Sequence, residues 1–172
     1  MLTRTADGWR PVDRWRDAVW PVVAMVTLFT VGHSVTLALA SLKLISVAPG
    51  LIEPAIALTI AVAAYDNIRP FLFGRRRLFA FLFGLVHGFG FASVLGELDL
   101  PTTGFVAALL QFNLGVEAGQ LVIVTIAMAV LLALRRWRHY PLAFLRIGSG
   151  LALLIAMVWF VERVFDMKLL PV

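Results

Sequence analysis

The chain has 172 residues, 61% of them hydrophobic and 15% charged, with a mean hydropathy of +0.93. A water-soluble domain of this size is excluded, because folding could not hide that much apolar surface. Fifteen Lys and Arg against ten Asp and Glu give a net charge of +5, but in a membrane chain a basic excess collects in loops on the cytoplasmic side, so no nucleic-acid partner is read from it. With no cysteine, disulfides, thiolate sites and iron–sulfur clusters are excluded, and a metal would take nitrogen and oxygen ligands, with methionine at most in addition.

Residues 1–18 are polar, with Trp9, Val12, Trp15 and Val19 at roughly helical spacing opposite Arg10, Arg14 and Asp17. They are expected to form a short interfacial helix on the cytoplasmic face. No small-residue cleavage site follows a short apolar core, so the segment is not read as a cleaved signal. Residues 19–172 are expected to form one transmembrane domain of five spans: Val19 to Leu42, Pro49 to Ile68, Leu78 to Gly96, Gly104 to Leu134 and Leu142 to Val164. At 1.5 Å per residue each approaches or exceeds the roughly 30 Å hydrocarbon thickness. The fourth, at about 45 Å, must tilt, protrude or bend near Gly115 and Gly119.

Arg4, Arg10, Arg14 and Arg16 precede the first span; Arg69, Arg75, Arg76 and Arg77 lie between the second and third; Arg135, Arg136 and Arg138 lie between the fourth and fifth. The other side carries only Lys43, Arg163 and Lys168. The expected architecture is therefore an all-α polytopic membrane bundle with a cytoplasmic N-terminus and an outside C-terminus.

Two of these spans carry a histidine near the middle. His87 is flanked by Gly84, Gly88 and Gly90, and Gly84, Gly88 and Ala92 fall four apart on one face, as where helix backbones approach closely in membranes. The first and third spans (FTVGHSVTLALASL and LVHGFGFASVLGEL) hint at a parallel repeat of two hairpins. Counting inward from the outer ends places His33, His87 and Asn113 in one layer about 14 Å deep in upright helices. Glu117 and Gln120 follow Asn113 on the same face. Ser34 flanks His33, Glu53 stands near the outer mouth, and Asp66 near the inner end of the second span. An imidazole or carboxylate at this depth needs a partner, a proton path or an ion, so His33, His87, Glu117 and Asn113 are candidate metal ligands. Ser34, Glu53, Asp66 and Gln120 are secondary candidates for a pathway or for packing. The plainer account of each histidine is a hydrogen bond across a helix interface; for Glu53 and Asp66 it is a solvated helix end.

The stretches FTVGHSVTLALASL (29–42), EPAIALTIAVAAYDNI (53–68), FGLVHGFGFASVLGEL (83–98) and FNLGVEAGQL (112–121) resemble, in the same order, blocks of the HupE/UreJ family of small bacterial membrane proteins, particularly its second branch. The resemblance implies a multi-pass inner-membrane protein linked to nickel supply for hydrogenase or urease, with His33, His87 and Glu117 as metal-handling positions. In the family pattern a further His/Asp-bearing span comes first, and nothing before Val19 matches it. Nickel importers of the family carry a second histidine in the later block, where this chain has Phe91.

The function read from these residues is a permease or permease-like accessory protein for a divalent cation, nickel by resemblance, with no resident cofactor assigned. The alternatives are a haem-b redox subunit with His33 and His87 as axial ligands, and a non-catalytic membrane scaffold. An enzyme is not expected: Ser34 and His87 lack a Gly-x-Ser-x-Gly context, an oxyanion donor and a third triad member. Five spans are few for a permease, which points to a homo-oligomer or a second membrane subunit as partner, besides the lipid bilayer and the metal ion.

Overall fold

A computed structural model describes residues 2–5, 8–11, 15–72, 74–96, 102–134 and 146–167. Two short strands, β1 (Leu2–Thr5) and β2 (Gly8–Pro11), precede five helices: α1 (Trp15–Ser41), α2 (Pro49–Ile68), α3 (Arg76–Gly96), α4 (Thr102–Leu134) and α5 (Ser149–Phe165). Among the described residues, four helices are long and apolar enough to cross a membrane: α1 from Val19, α2, α4 from Ala107, and α5 with the turn from Arg146. The chain is a multi-pass membrane protein built as a helix bundle. The expected third span corresponds to α3, whose 21 residues extend about 31 Å.

The helix expected over residues 1–18 is corrected. Leu2 pairs with Pro11 and Thr5 with Gly8 in an antiparallel ribbon, and the described part of α1 begins at Trp15. Pro11 cannot donate the hydrogen bond a helix interior requires, and Gly8 weakens a helix while fitting the close strand pairing opposite Thr5. Those local preferences outweigh the helical spacing of the tryptophans. The arginines at 135, 136 and 138, His139 and Lys168 lie outside the described residues.

Helix α1 ends where Lys43 takes a left-handed conformation (φ 58°). The Leu44 N–H donates to Leu39 O (3.0 Å) and the Lys43 N–H to Ala40 O (2.9 Å), satisfying carbonyls left open at the helix end. Helix α2 then opens on Pro49, whose missing N–H costs nothing in a first turn. At its other end α2 is tied to α3 through Asp66. That carboxylate is buried, accepts hydrogen bonds from the N–H groups of Phe71 (2.8 Å) and Leu72 (2.9 Å), and pairs with Arg76 at 2.7 Å. The solvated helix end weighed for Asp66 is thereby replaced by a structural clasp. Asp66→Ala strands two backbone donors and is expected to cost about 1–3 kcal/mol, read by denaturant unfolding in micelles; a change near zero would mean that water substitutes freely.

The helices pack as a chain of neighbours, α5 on α2, α2 on α3, α3 on α1, and α1 more lightly on α4. Contact between α1 and α3 is the most extensive, and three glycines explain it. A Cβ on Gly84 would collide with the Phe29 carbonyl, one on Gly88 with the His33 carbonyl and Thr36, and one on Gly32 with the Phe81 carbonyl. The close approach expected at Gly84 and Gly88 is therefore present, and Gly32 supplies its counterpart on α1. The same shift of 55 residues relates both pairs (29 to 84, 33 to 88), so the two helices run parallel.

On α2, Thr59 faces α3, while Ala57, Ala61 and Ala64 are buried on the opposite side of the helix, where α5 packs. Leu37 is wholly buried and packs with Leu109, Ala38 and Phe112 where α1 meets α4. Helix α4 runs unbroken through Gly115 and Gly119, where an added Cβ would meet no atom of another element within 4 Å among the described residues.

Candidate metal centre

The parallel register of α1 and α3 decides where the histidines fall. His33 and His87 are 54 residues apart in sequence, one less than the packing shift, so they emerge at the same level on adjacent helices. Both line one cleft of about 400 Å³, together with Phe29 and Phe91 and, from α4, Val116 and Gln120. The Phe29 ring touches both imidazoles, stacked on His33 at 6.2 Å and edge-on to His87 at 5.2 Å between centroids. Phe91 lies edge-on to His33 at 5.6 Å.

The two imidazoles are held differently. His33 is 3% exposed, and neither of its ring nitrogens has a hydrogen-bond partner among the described residues. A buried polar group left in that state costs on the order of 1–3 kcal/mol, and such exceptions concentrate where a ligand is handled. His87 is partly buried, and its Nε2 lies 2.9 Å from the Thr59 hydroxyl on α2.

The remaining candidates sort by helix. Asn113 is in the histidine layer, but its Oδ1 accepts a hydrogen bond from the Ser34 hydroxyl at 3.2 Å. One rung away, Thr30 donates to Gln120 Oε1, also at 3.2 Å. Ser34 and Gln120 thus belong to a polar ladder that fastens α4 to α1. Glu117 sits on α4 between these rungs in sequence, yet its side chain is exposed and does not line the cleft. Ser34 and His87, weighed as a hydrolase pair, bond to Asn113 and Thr59 instead.

Glu53 forms a half-exposed ion pair with Arg163 of α5 at 3.1 Å. It lines a second, smaller cavity of about 190 Å³ between the α1–α2 connection and Phe89–Gly90 of α3. Among the described residues no group of three or more His, Asp or Glu side chains is placed to hold a metal. The arrangement is a two-imidazole pair with an acidic residue beside a separate mouth.

Three participants were not singled out from sequence: Thr59, Phe29 and Gly32. Thr59 had a signal, being the sole hydroxyl in the aliphatic run AIALTIAVAA. Phe29 and Gly32 had none, since an aromatic ring and a glycine are ordinary in a membrane helix.

No curated protein and no solved structure matches the chain. A protein-family model described as HupE / UreJ protein matches residues 14–163.

Proposed function

This chain belongs to the HupE/UreJ family of nickel- and cobalt-transport-related membrane proteins, and from that membership we propose that it is a permease or permease-like accessory protein of the bacterial inner membrane that handles nickel at His33 and His87. The observation that carries the reading is His33, a buried imidazole whose two nitrogens have no partner among the described residues, beside a second imidazole in the same cleft. Neutral imidazole nitrogen suits a divalent first-row cation. Two such donors replace part of its hydration shell without holding it as a closed site would, which is what release requires. The N-terminal side faces the cytoplasm by the distribution of arginines.

An axial haem site between the same histidines is disfavoured, because the Phe29 ring packs against both imidazoles and a porphyrin would have to displace it. A haem absorption band in the purified protein would reverse that judgement.

Nickel uptake into vesicles carrying the reconstituted protein tests the proposal. His33→Ala and His87→Ala are each expected to slow uptake about tenfold or more, by analogy with the loss of groups around a metal site. Glu53→Ala, at an exposed pair outside the cleft, is expected to change it far less. Equal uptake by the wild type and both histidine variants would remove the transport reading.

A companion variant builds rather than removes. Phe91 stands against His33, at the position where the family resemblance places another histidine. Phe91→His is expected to tighten equilibrium nickel binding about tenfold or more, measured by calorimetry on detergent-solubilised protein. Unchanged affinity would show that position 91 does not reach the ion.

A further inference from the structure

We propose that Thr59 is a positioning residue that fixes which nitrogen of His87 carries the proton, so that Nδ1 is the atom offered to the cation. The argument is one of hydrogen counting. The Thr59 hydroxyl lies 2.7 Å from the carbonyl oxygen of Ile56 and 2.9 Å from His87 Nε2. A hydroxyl has one proton to give. The Ile56 carbonyl has none, so the short contact between the two oxygens is accounted for only if Thr59 donates there. Thr59 Oγ1 is then an acceptor toward the ring, and His87 donates through Nε2–H. A neutral imidazole has a single N–H, which leaves the lone pair on Nδ1.

The surroundings make this assignment matter. Thr59 is buried, with aliphatic neighbours along α2, and faces the α3 surface that carries His87 and Gly90. Without the hydroxyl, the Nε2–H would lose this acceptor, and the Nδ1-protonated form would no longer be held off by it. The lone pair would then point at α2 instead of being available on the ring's other side. Thr59 therefore acts through His87, in the way that the outer partners of metal-bound histidines fix ring orientation and tautomer. A threonine that only bonded its own helix would satisfy itself through Ile56 and leave the ring indifferent to its loss.

The part of the proposal that concerns the cation rests on the transport reading; the tautomer does not. Protein labelled with ¹⁵N-histidine, reconstituted in bilayers without metal, gives the protonated nitrogen of each imidazole by NMR, with His87 assigned by the loss of its signals in His87→Gln. The wild type and Thr59→Ser are expected to be protonated at Nε2, and Thr59→Val to gain the Nδ1-protonated form. An Nδ1-protonated wild type, or a Thr59→Val protein that keeps the wild-type pattern, would overturn the proposal. Titration with Ni²⁺ alone is then expected to show binding about 10–100-fold weaker in Thr59→Val, with Thr59→Ser restoring it. If Thr59→Val shifts the tautomer but binds nickel like the wild type, the link from Thr59 to the donor atom is lost. If the tautomer shifts and nickel binds to none of the proteins, the transport reading fails while the proton assignment stands.

Discussion

His33→Leu is expected to abolish nickel uptake and at the same time leave the protein as stable as the wild type or more so. The two readouts separate because His33 contributes nothing polar to the fold. Both of its nitrogens are buried without a hydrogen bond among the described residues, and such a group is a net cost of order 1–3 kcal/mol. Leucine has similar bulk, no polar atom to strand, and apolar company in Phe29 and Phe91. Unfolding in mixed micelles should therefore show no loss, while vesicle uptake falls to background. Natural proteins tolerate such destabilising groups where activity requires them. A clear fall in stability would mean that the imidazole has a structural partner, and would remove the main support for its role in handling an ion.

The second large effect is expected at the glycines of the α1–α3 contact. In Gly84→Ala the added methyl meets the Phe29 carbonyl, a backbone atom that cannot step aside without moving the helix. Overpacking of this kind costs about 1–3 kcal/mol or more, and here it also spreads the two helices that carry the histidines. Both stability and uptake should fall together. Gly32→Ala should behave alike, since its methyl meets the Phe81 carbonyl. Gly90→Ala should be milder, because the obstruction is the terminal carbon of the flexible Ile56 side chain at 2.6 Å. Gly115→Ala and Gly119→Ala, with nothing within 4 Å, should be neutral or gain up to about 1 kcal/mol of helix propensity. If all five behaved alike, close backbone packing would not be what holds α1 to α3.

Much of this architecture was legible in the sequence. Long uncharged runs fixed the helices, and counting residues from their ends put His33 and His87 at one level. The spacing of Gly84 and Gly88 foretold the close contact. The rest escaped for identifiable reasons. Helical periodicity gives the angle between Asn113 and Glu117 on α4 but not how that helix is turned toward its neighbours. In lipid the outside is as apolar as the inside, so α4 offers no contrast from which to read its buried face. That is why Glu117, placed beside Asn113 by spacing, turned out exposed. Asp66 looked like a terminal residue in contact with water because its partners, the N–H groups at 71 and 72 and Arg76, come from a loop and from the start of α3, and the sequence does not specify the path that brings them back. The N-terminal ribbon is hard to read because the tryptophans fall at helical spacing, and only Gly8 and Pro11 speak against a helix there.

Where Gly84 meets Phe29 and Gly88 meets His33, main chain approaches main chain directly. The separation of the two helix backbones at the level of the imidazoles is consequently dictated by main-chain atoms, and only the torsions of the histidines themselves alter the span between the rings. On the proposed function, so stiff a frame is expected to favour ions of one radius over those slightly larger or smaller, adding size to ligand preference as a basis of selection.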